Sequence, residues 1–342
     1  VRLLAIHPGP NFSVADVFRG WLIGLQANGV ETGAFNLDAR LTFFSSAHVP
    51  DADTGDLVRA FDDDKAAQLA LDGLCSELWK YRPDVMLIVS GFYTPPNMMQ
   101  MIRDRGIKVV LLHTESPYED DTQIARSEHA DLVLVNDPMN LDRFREVNPN
   151  THYQWHCYDP SRHYPGPARP EHQSDFCFVG TGFPSRVEFL EQIDWTGIDV
   201  ALAGHWLNLE PGSPLRKYIA HDINACCDNA ETADLYRGAK LAANLYRKEA
   251  ERPELATGWA MGPREVELAA IGTPFLRDPR PEGDALFPFL PTFDTPAEME
   301  SQIRWHLSRP DVLEDLGRRA REAVHDRTFA NSAARMLRLL NL

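Results

Sequence analysis

The stretch MGPREVELAAIGTPFLRD, residues 261–278, holds the most chemically pointed residue of the chain. It reads as a short helix opened by Pro263, a glycine stop at Gly272 and a buried strand. Glu267 falls about one turn into that helix, while Val266, Ala269 and Ala270 have the spacing to pack on a sheet. A carboxylate so placed can accept two hydrogen bonds from a vicinal diol such as a ribose. It can equally be a solvent-facing glutamate favoured by the helix dipole, and spacing alone leaves both readings open. A second stretch, FVGTGFPSR, supplies Gly180, Thr181 and Gly182, then a helix start near Pro184 with Arg186 in its first turn. Glycines permit close backbone approach, a helix start favours an anion, and an arginine adds a charged fork. The third glycine of a dinucleotide fingerprint is replaced by Ser185, and no G-K-[ST] follows, so neither that motif nor a P-loop is present. The alternative is a tight strand–helix turn beside a surface arginine.

Other candidates come singly. His7, His113 and His205 stand at or near the carboxyl ends of apolar runs, where each could serve as a general base or hydroxyl ligand, or simply as a core histidine. Glu115, in HTESPYED, is the best-placed carboxylate of the first half. The runs Asp62–Asp64 and Glu119–Asp121 precede helical patterns and are expected to start and cap helices rather than bind metal. His152 and His156 share a face without an evident third ligand. There is no G-x-S-x-G elbow, no H-E-x-x-H and no kinase motif set.

The elements that must carry these residues alternate. Apolar strands are expected at 2–7, 32–37, 84–91, 108–115 and 131–137, separated by helices at 14–29, 65–81 and 95–106. After a proline-rich segment the alternation restarts, with strands at 176–182, 199–206, 241–247 and 274–278 and helices at 184–193, 231–240 and 263–272. Two amphipathic helices, 296–310 and roughly 313–340, close the chain. Continuous apolar strands between amphipathic helices indicate parallel sheets covered on both faces. The reading is α/β, with two tandem Rossmann-like doubly wound domains at 1–158 and 175–322. A linker is expected at 159–174 and a C-terminal helix at 323–342, packing back on the first domain.

Among the 342 residues, 44% are hydrophobic and 25% charged, an ordinary soluble composition, and no apolar run reaches membrane-spanning length. The N-terminal apolar stretch reads as a core strand rather than a secretory signal. A formal net charge of −16 argues against a general polyanion binder but not against a local pocket for one diphosphate. The 5 cysteines include no C-x-x-C, and suggest a reducing, cytoplasmic setting.

Taken together, SDFCFVGTGFPSRVEFLE, TADLYRGAKLAANLYR, GPREVELAAIGTPFLRD and the run from Thr295 to Leu340 resemble a GT-B glycosyltransferase. More narrowly, the chain is similar to the spore-coat (CgeB-like) glycosyltransferases, related to glycosyltransferase families 1 and 4. The resemblance implies transfer of a sugar from a nucleotide-diphosphate sugar to an acceptor hydroxyl. It implies no cofactor or metal, an acceptor side in the first domain, and retention slightly ahead of inversion. It makes Glu267 the nucleotide-ribose ligand and sets Arg264 against the sugar or diphosphate. Gly180, Thr181, Gly182 and Arg186 match the diphosphate loop, and Asn244 and Arg247 match the lining of the donor cleft. His205 joins them as a candidate. His113 matches a sugar-contacting histidine, and Glu115 an acidic residue of the spore-coat group. Glu115 or His7 would be the base of an inverting reaction. Trp259 stands where family 4 has a second acidic residue, and only Gly9 represents the glycine pair after the first strand. Two other classes stay open, a sugar-nucleotide epimerase and a non-catalytic nucleotide-sugar-binding protein. The acceptor could be a glycan, a protein, a small molecule or a modified nucleic acid.

Overall fold

The computed structural model describes residues 1–9, 12–207, 209–249 and 257–342. Contacts divide the chain into two compact units, Val1–Gln154 with Phe329–Leu342, and Trp155–Thr328.

The first unit runs β1 (Arg2–Ile6), α1 (Phe12–Ala27), β2 (Glu31–Phe35), α2 (Leu37–Ser45), β3 (His48–Pro50), β4 (Leu57–Arg59), α3 (Asp63–Tyr81), β5 (Val85–Val89), α4 (Pro96–Arg103), β6 (Lys108–His113), α5 (Asp120–Ser127), β7 (Leu132–Val135), α6 (Leu141–Val147) and β8 (Thr151–Tyr153). Six strands form a sheet in the order β2-β1-β5-β6-β7-β8, every pair parallel, while β3 and β4 form a separate antiparallel hairpin. The sheet is parallel because helices cross between successive strands, and its centre is apolar on both faces. All five residues of β5 are buried. The order reverses between β1 and β5, the switch point of a doubly wound sheet. Asp62 caps α3, its Oδ1 accepting from the Lys65 N–H at 2.7 Å, so the acidic run there is a helix start.

The chain's final helix, Phe329–Leu339, belongs to this unit and packs on α1. Gly20 and Gly24, one turn apart, allow the approach. A Cβ on Gly20 would lie 2.2 Å from the Phe329 ring, and one on Gly24 would lie 2.4 Å from the Phe329 carbonyl oxygen.

The second unit runs β9 (Ser174–Val179), α7 (Pro184–Glu191), β10 (Val200–Ala203), α8 (Asn229–Gly238), β11 (Ala239–Asn244), α9 (Pro263–Ile271), β12 (Phe275–Arg277), α10 (Pro281–Leu286), α11 (Pro296–Leu307) and α12 (Pro310–Ala323). The final helix is α13. Four parallel strands in the order β10-β9-β11-β12 place the switch point between β9 and β11. The residues after these two strands, 180–182 and 245–249, therefore flank the position where such sheets bind ligands. Gly272 ends α9 with φ +85°, its N–H donating to the Leu268 and Ala269 carbonyls at 3.0 Å each. A single helix over 313–340 does not form. α12 stops at Ala323, and Thr328 makes a bridge with Tyr158 before α13 begins.

Candidate functional site

α9 is buried at every position from Glu265 to Ile271, and Glu267 is only 7% exposed. Burial pushes its carboxyl up, but the Arg264 guanidinium, His163 and the hydrogen bonds it accepts together hold it below the ordinary range. Arg264 Nη1 donates to Glu267 Oε2 at 2.6 Å and to Asn229 Oδ1 at 2.9 Å. Asn229 Nδ2 donates to Oε1 at 3.5 Å, and His163 Nε2 lies 3.9 Å from the same oxygen. Glu267 is thus neither a surface residue nor a misplaced core residue. It is a buried anion in a polar cluster contributed by α9, the start of α8 and the segment preceding β9. Arg264 came from the sequence, whereas Asn229 and His163 did not. Asn229 lies where α8 begins, and His163 lies in a proline-rich segment without periodicity, so only tertiary contact reveals them.

The glycine turn after β9 is tightly built. A Cβ on Gly182 would lie 2.4 Å from the Trp206 ring, and one on Gly204 would lie 2.4 Å from the Gly180 carbonyl oxygen, with Gly204 at φ +105°. Its amides are largely spent inside the protein. Gly180 N–H donates to the Ala203 carbonyl at 3.0 Å, Gly182 N–H to His205 at 2.8 Å and Phe183 N–H to Thr181 at 2.9 Å. The expected charged fork of Arg186 is engaged as well. Nη1 donates to the Thr181 carbonyl at 3.0 Å and Nη2 to Leu245 at 2.5 Å, clamping the turn to the end of β11. The start of α7 holds an anion, and it is the chain's own. Glu249 accepts from the Ser185 N–H at 2.9 Å and the Ser185 hydroxyl at 3.1 Å. Burial works against this carboxylate, but the Ser185 and Lys248 bonds lower it below its ordinary value.

Asn244, the last residue of β11, is 8% exposed, and its Nδ2 is buried without a hydrogen-bond partner among the described residues. A Cβ on Gly262, at the start of α9, would be 3.8 Å from that nitrogen. Arg247 follows in the half-buried loop, and His205 is half-buried just after β10. Beneath the start of α9, Glu265 is wholly buried and was not singled out from sequence. Its Oε2 accepts from the Tyr246 hydroxyl and, at 2.8 Å, from the Gly262 N–H. Burial pushes its carboxyl up to about 7.

In the first unit, His7 lies beyond β1 with its Nδ1 accepting from the Gly9 N–H at 3.3 Å and its ring edge-on to Phe18. Burial lowers its pKa, and Arg19 adds to this against Asp38. His113 is fully buried at the end of β6, its Nε2 2.9 Å from the Ser127 hydroxyl, which itself donates to the Gln123 carbonyl at 2.8 Å. Burial, and then Arg126, hold His113 neutral with a pKa near 3. A ring so placed does not meet solvent, so a general-base role does not suit it. Glu115 is half-buried two residues on. In the same unit, His113 Nδ1, both amide atoms of Gln123, and Arg126 Nε and Nη1 are buried without hydrogen-bond partners among the described residues. Each such atom costs about 1–3 kcal/mol when left unsatisfied. Gln123 and Arg126 were not read as site residues, because a helix of eight residues with a polar buried face shows no apolar periodicity.

Among the described residues, no group of three His, Cys, Asp or Glu is placed to hold a metal, and no helix is long and apolar enough to cross a membrane.

Residues 186–341, which include most of α7, all of α9 and the closing helices, match the model of the glycosyl transferase-like family. No curated protein matches the chain significantly in sequence. The structure as a whole is similar to that of sucrose-phosphate synthase from Thermosynechococcus elongatus, with TM-score 0.64 and 14% identity over 99% of this chain and 98% of that one. It is similar to an alpha-glucosyltransferase in complex with UDP, with TM-score 0.64 and 13% identity over 100% of this chain and 99% of the other. A Listeria monocytogenes protein assigned as a UDP-N-acetylglucosamine 2-epimerase has TM-score 0.64 and 11% identity over 100% of this chain and 96% of its own. At these identities the likeness is one of fold. The chain has the GT-B fold, two Rossmann-like units in tandem.

Proposed function

We propose that the protein is a glycosyltransferase that moves a sugar from a nucleotide-diphosphate sugar to an acceptor hydroxyl, without a metal. The observation that carries this reading is Glu267, a buried carboxylate held charged by Arg264 inside the stretch that matches the glycosyl transferase-like family. Its role is to accept hydrogen bonds from the ribose diol of the donor. Asn244, with its unsatisfied amide, and Arg247 line the same edge of the second unit. The diphosphate lies at the Gly180–Gly182 turn, where binding displaces Glu249 from the start of α7. Arginine side chains and the helix start then stabilise negative charge on the departing diphosphate.

The first unit serves the acceptor. The unpartnered atoms of Gln123 and Arg126 include both donors and an acceptor, which suits hydroxyl groups better than an anion alone. Glu115 or His7 takes the acceptor proton if the anomeric centre inverts. Retention, in which the donor phosphate takes that proton, is the course favoured by resemblance. A glycan, a protein, a small molecule or a modified nucleic acid would each present the hydroxyl required. The likeness to the Listeria protein supports a second reading, epimerisation of a nucleotide sugar. Product analysis tests both. Incubation with UDP-, GDP-, ADP- and dTDP-hexoses and a panel of glycan, protein and small-molecule hydroxyl acceptors should release nucleoside diphosphate with transfer of the sugar to an acceptor oxygen, or to water. An isomerised nucleotide sugar without release supports the epimerase, and no turnover of any donor counts against both.

A further inference from the structure

The two oxygens of Glu267 sit in unlike settings. Oε2 takes the close bond from Arg264, whereas the nearest partners of Oε1 among the described residues are Asn229 at 3.5 Å and His163 at 3.9 Å. His163 is 3% exposed, and its Nε2 has no hydrogen-bond partner among the described residues. Its tautomer follows from its own turn. The Asp159 N–H donates to His163 Nδ1 at 3.2 Å, so in the neutral ring Nδ1 accepts and the proton sits on Nε2, the nitrogen facing Glu267. That turn is braced on every side. The His163 N–H returns to the Asp159 carbonyl at 2.8 Å, and Asp159 Oδ1 accepts from the Ser161 N–H at 2.9 Å and its hydroxyl at 2.7 Å. Arg237, on α8, donates to the Arg162 carbonyl at 2.9 Å. The turn thus holds a buried donor, without a hydrogen-bond partner among the described residues, 3.9 Å from Oε1.

We propose that His163 is a positioning residue for Glu267, its Nε2–H orienting Oε1 so that the carboxylate presents its remaining lone pairs to the ribose diol. The proposal rests on the nucleotide-site reading above and extends it to a residue of the segment before β9. It also makes that segment part of the donor site and not merely a spacer.

The test is calorimetric titration of the full chain with UDP, GDP, ADP and dTDP. The proteins are wild type, His163→Leu, His163→Asn, His163→Gln, Glu267→Gln and the double variant His163→Leu/Glu267→Gln. For whichever diphosphate the wild type binds, His163→Leu and the short-armed His163→Asn should weaken binding about 5- to 30-fold. His163→Gln, which keeps an N–H at similar reach, should come within about 3-fold of wild type. In the Glu267→Gln background, His163→Leu should change affinity by less than about 2-fold, because the two residues act as one unit. If His163→Leu does not fold, the Asn and Gln pair decides the matter. Affinity unchanged in the Leu and Asn variants, equal loss in Asn and Gln, or a full additional loss in the Glu267→Gln background overturns the proposal while the nucleotide site stands. Failure of the wild type to bind any of the four diphosphates overturns the nucleotide reading, and the role of His163 with it.

Discussion

Replacing Arg264 with methionine isolates what holds Glu267 charged. Among the described residues the guanidinium gives the carboxylate its only short hydrogen bond, 2.6 Å, and the side chains are 31% and 9% exposed. Breaking a fully buried ion pair by removing one partner costs about 3–5 kcal/mol. Arg264 keeps some solvent, and Asn229 and His163 remain near Oε1, so about 2–3 kcal/mol is expected. For a unit of this size that lowers the melting temperature by about 5–10 °C near neutral pH. The pH dependence carries the sign. In the wild type the folded pKa of Glu267 is depressed, so its contribution is present above the unfolded value near 4.3 and is lost as pH falls through the folded value. Without Arg264, burial dominates and raises the folded pKa, so the variant carries a penalty at neutral pH that protonation relieves. The gap between the two melting curves should therefore narrow as pH falls from about 8 to about 4. Thermal melts of wild type, Arg264→Met, Glu267→Gln and the double variant across that range measure it. A gap that stays constant with pH, or an Arg264→Met penalty that persists undiminished with Glu267→Gln, refutes the reasoning.

Removing the internal anion should free the start of α7. Glu249→Ala is expected to tighten nucleoside diphosphate binding by about 3- to 10-fold in titration, the worth of one anion at a helix start. Gly204→Ala forces a Cβ to 2.4 Å from the Gly180 carbonyl oxygen at φ +105°, so a loss of about 2–3 kcal/mol in denaturant melts and weaker nucleotide binding are both expected. His113, with its pKa lowered to about 3, contributes stability that is complete above about pH 6.5 and is lost as pH falls toward the folded value. His113→Gln should flatten the acid limb of stability between those limits by up to about 1.4 kcal/mol per pH unit. Gln123→Leu should leave stability unchanged or slightly raised, because two unsatisfied amide atoms disappear, while lowering transfer activity by about tenfold. A fall in stability with activity intact would instead place Gln123 in the scaffold.

The alternation of strands and helices was legible because buried parallel strands are continuously apolar. The stretch VMLIV of β5, buried at every position, is the clearest case. The missed elements are the short ones. α2 carries only two buried residues, Leu37 and Leu41, and β3 and β4 are exposed throughout, so neither leaves a periodic trace. The break between α12 and α13 escaped notice because the amphipathic pattern continues on both sides of it. In the site, Glu267 and Arg264 could be named from their places on one helix. The groups that set their state come from elsewhere in the chain. Asn229 and His163 are 38 and 104 residues from Glu267 in sequence, and nothing local marks them. The glycine turn was recognised, but the spending of its amides on β10 is a tertiary fact.

The central claim, that the second unit binds a nucleotide-diphosphate sugar through Glu267, is tested most directly by thermal-shift measurement with UDP-, GDP-, ADP- and dTDP-sugars on wild type and Glu267→Ala. At least one of these ligands is expected to stabilise the wild type, with the shift lost or sharply reduced in Glu267→Ala. An equal shift in both proteins, or none in the wild type with any donor, would contradict it.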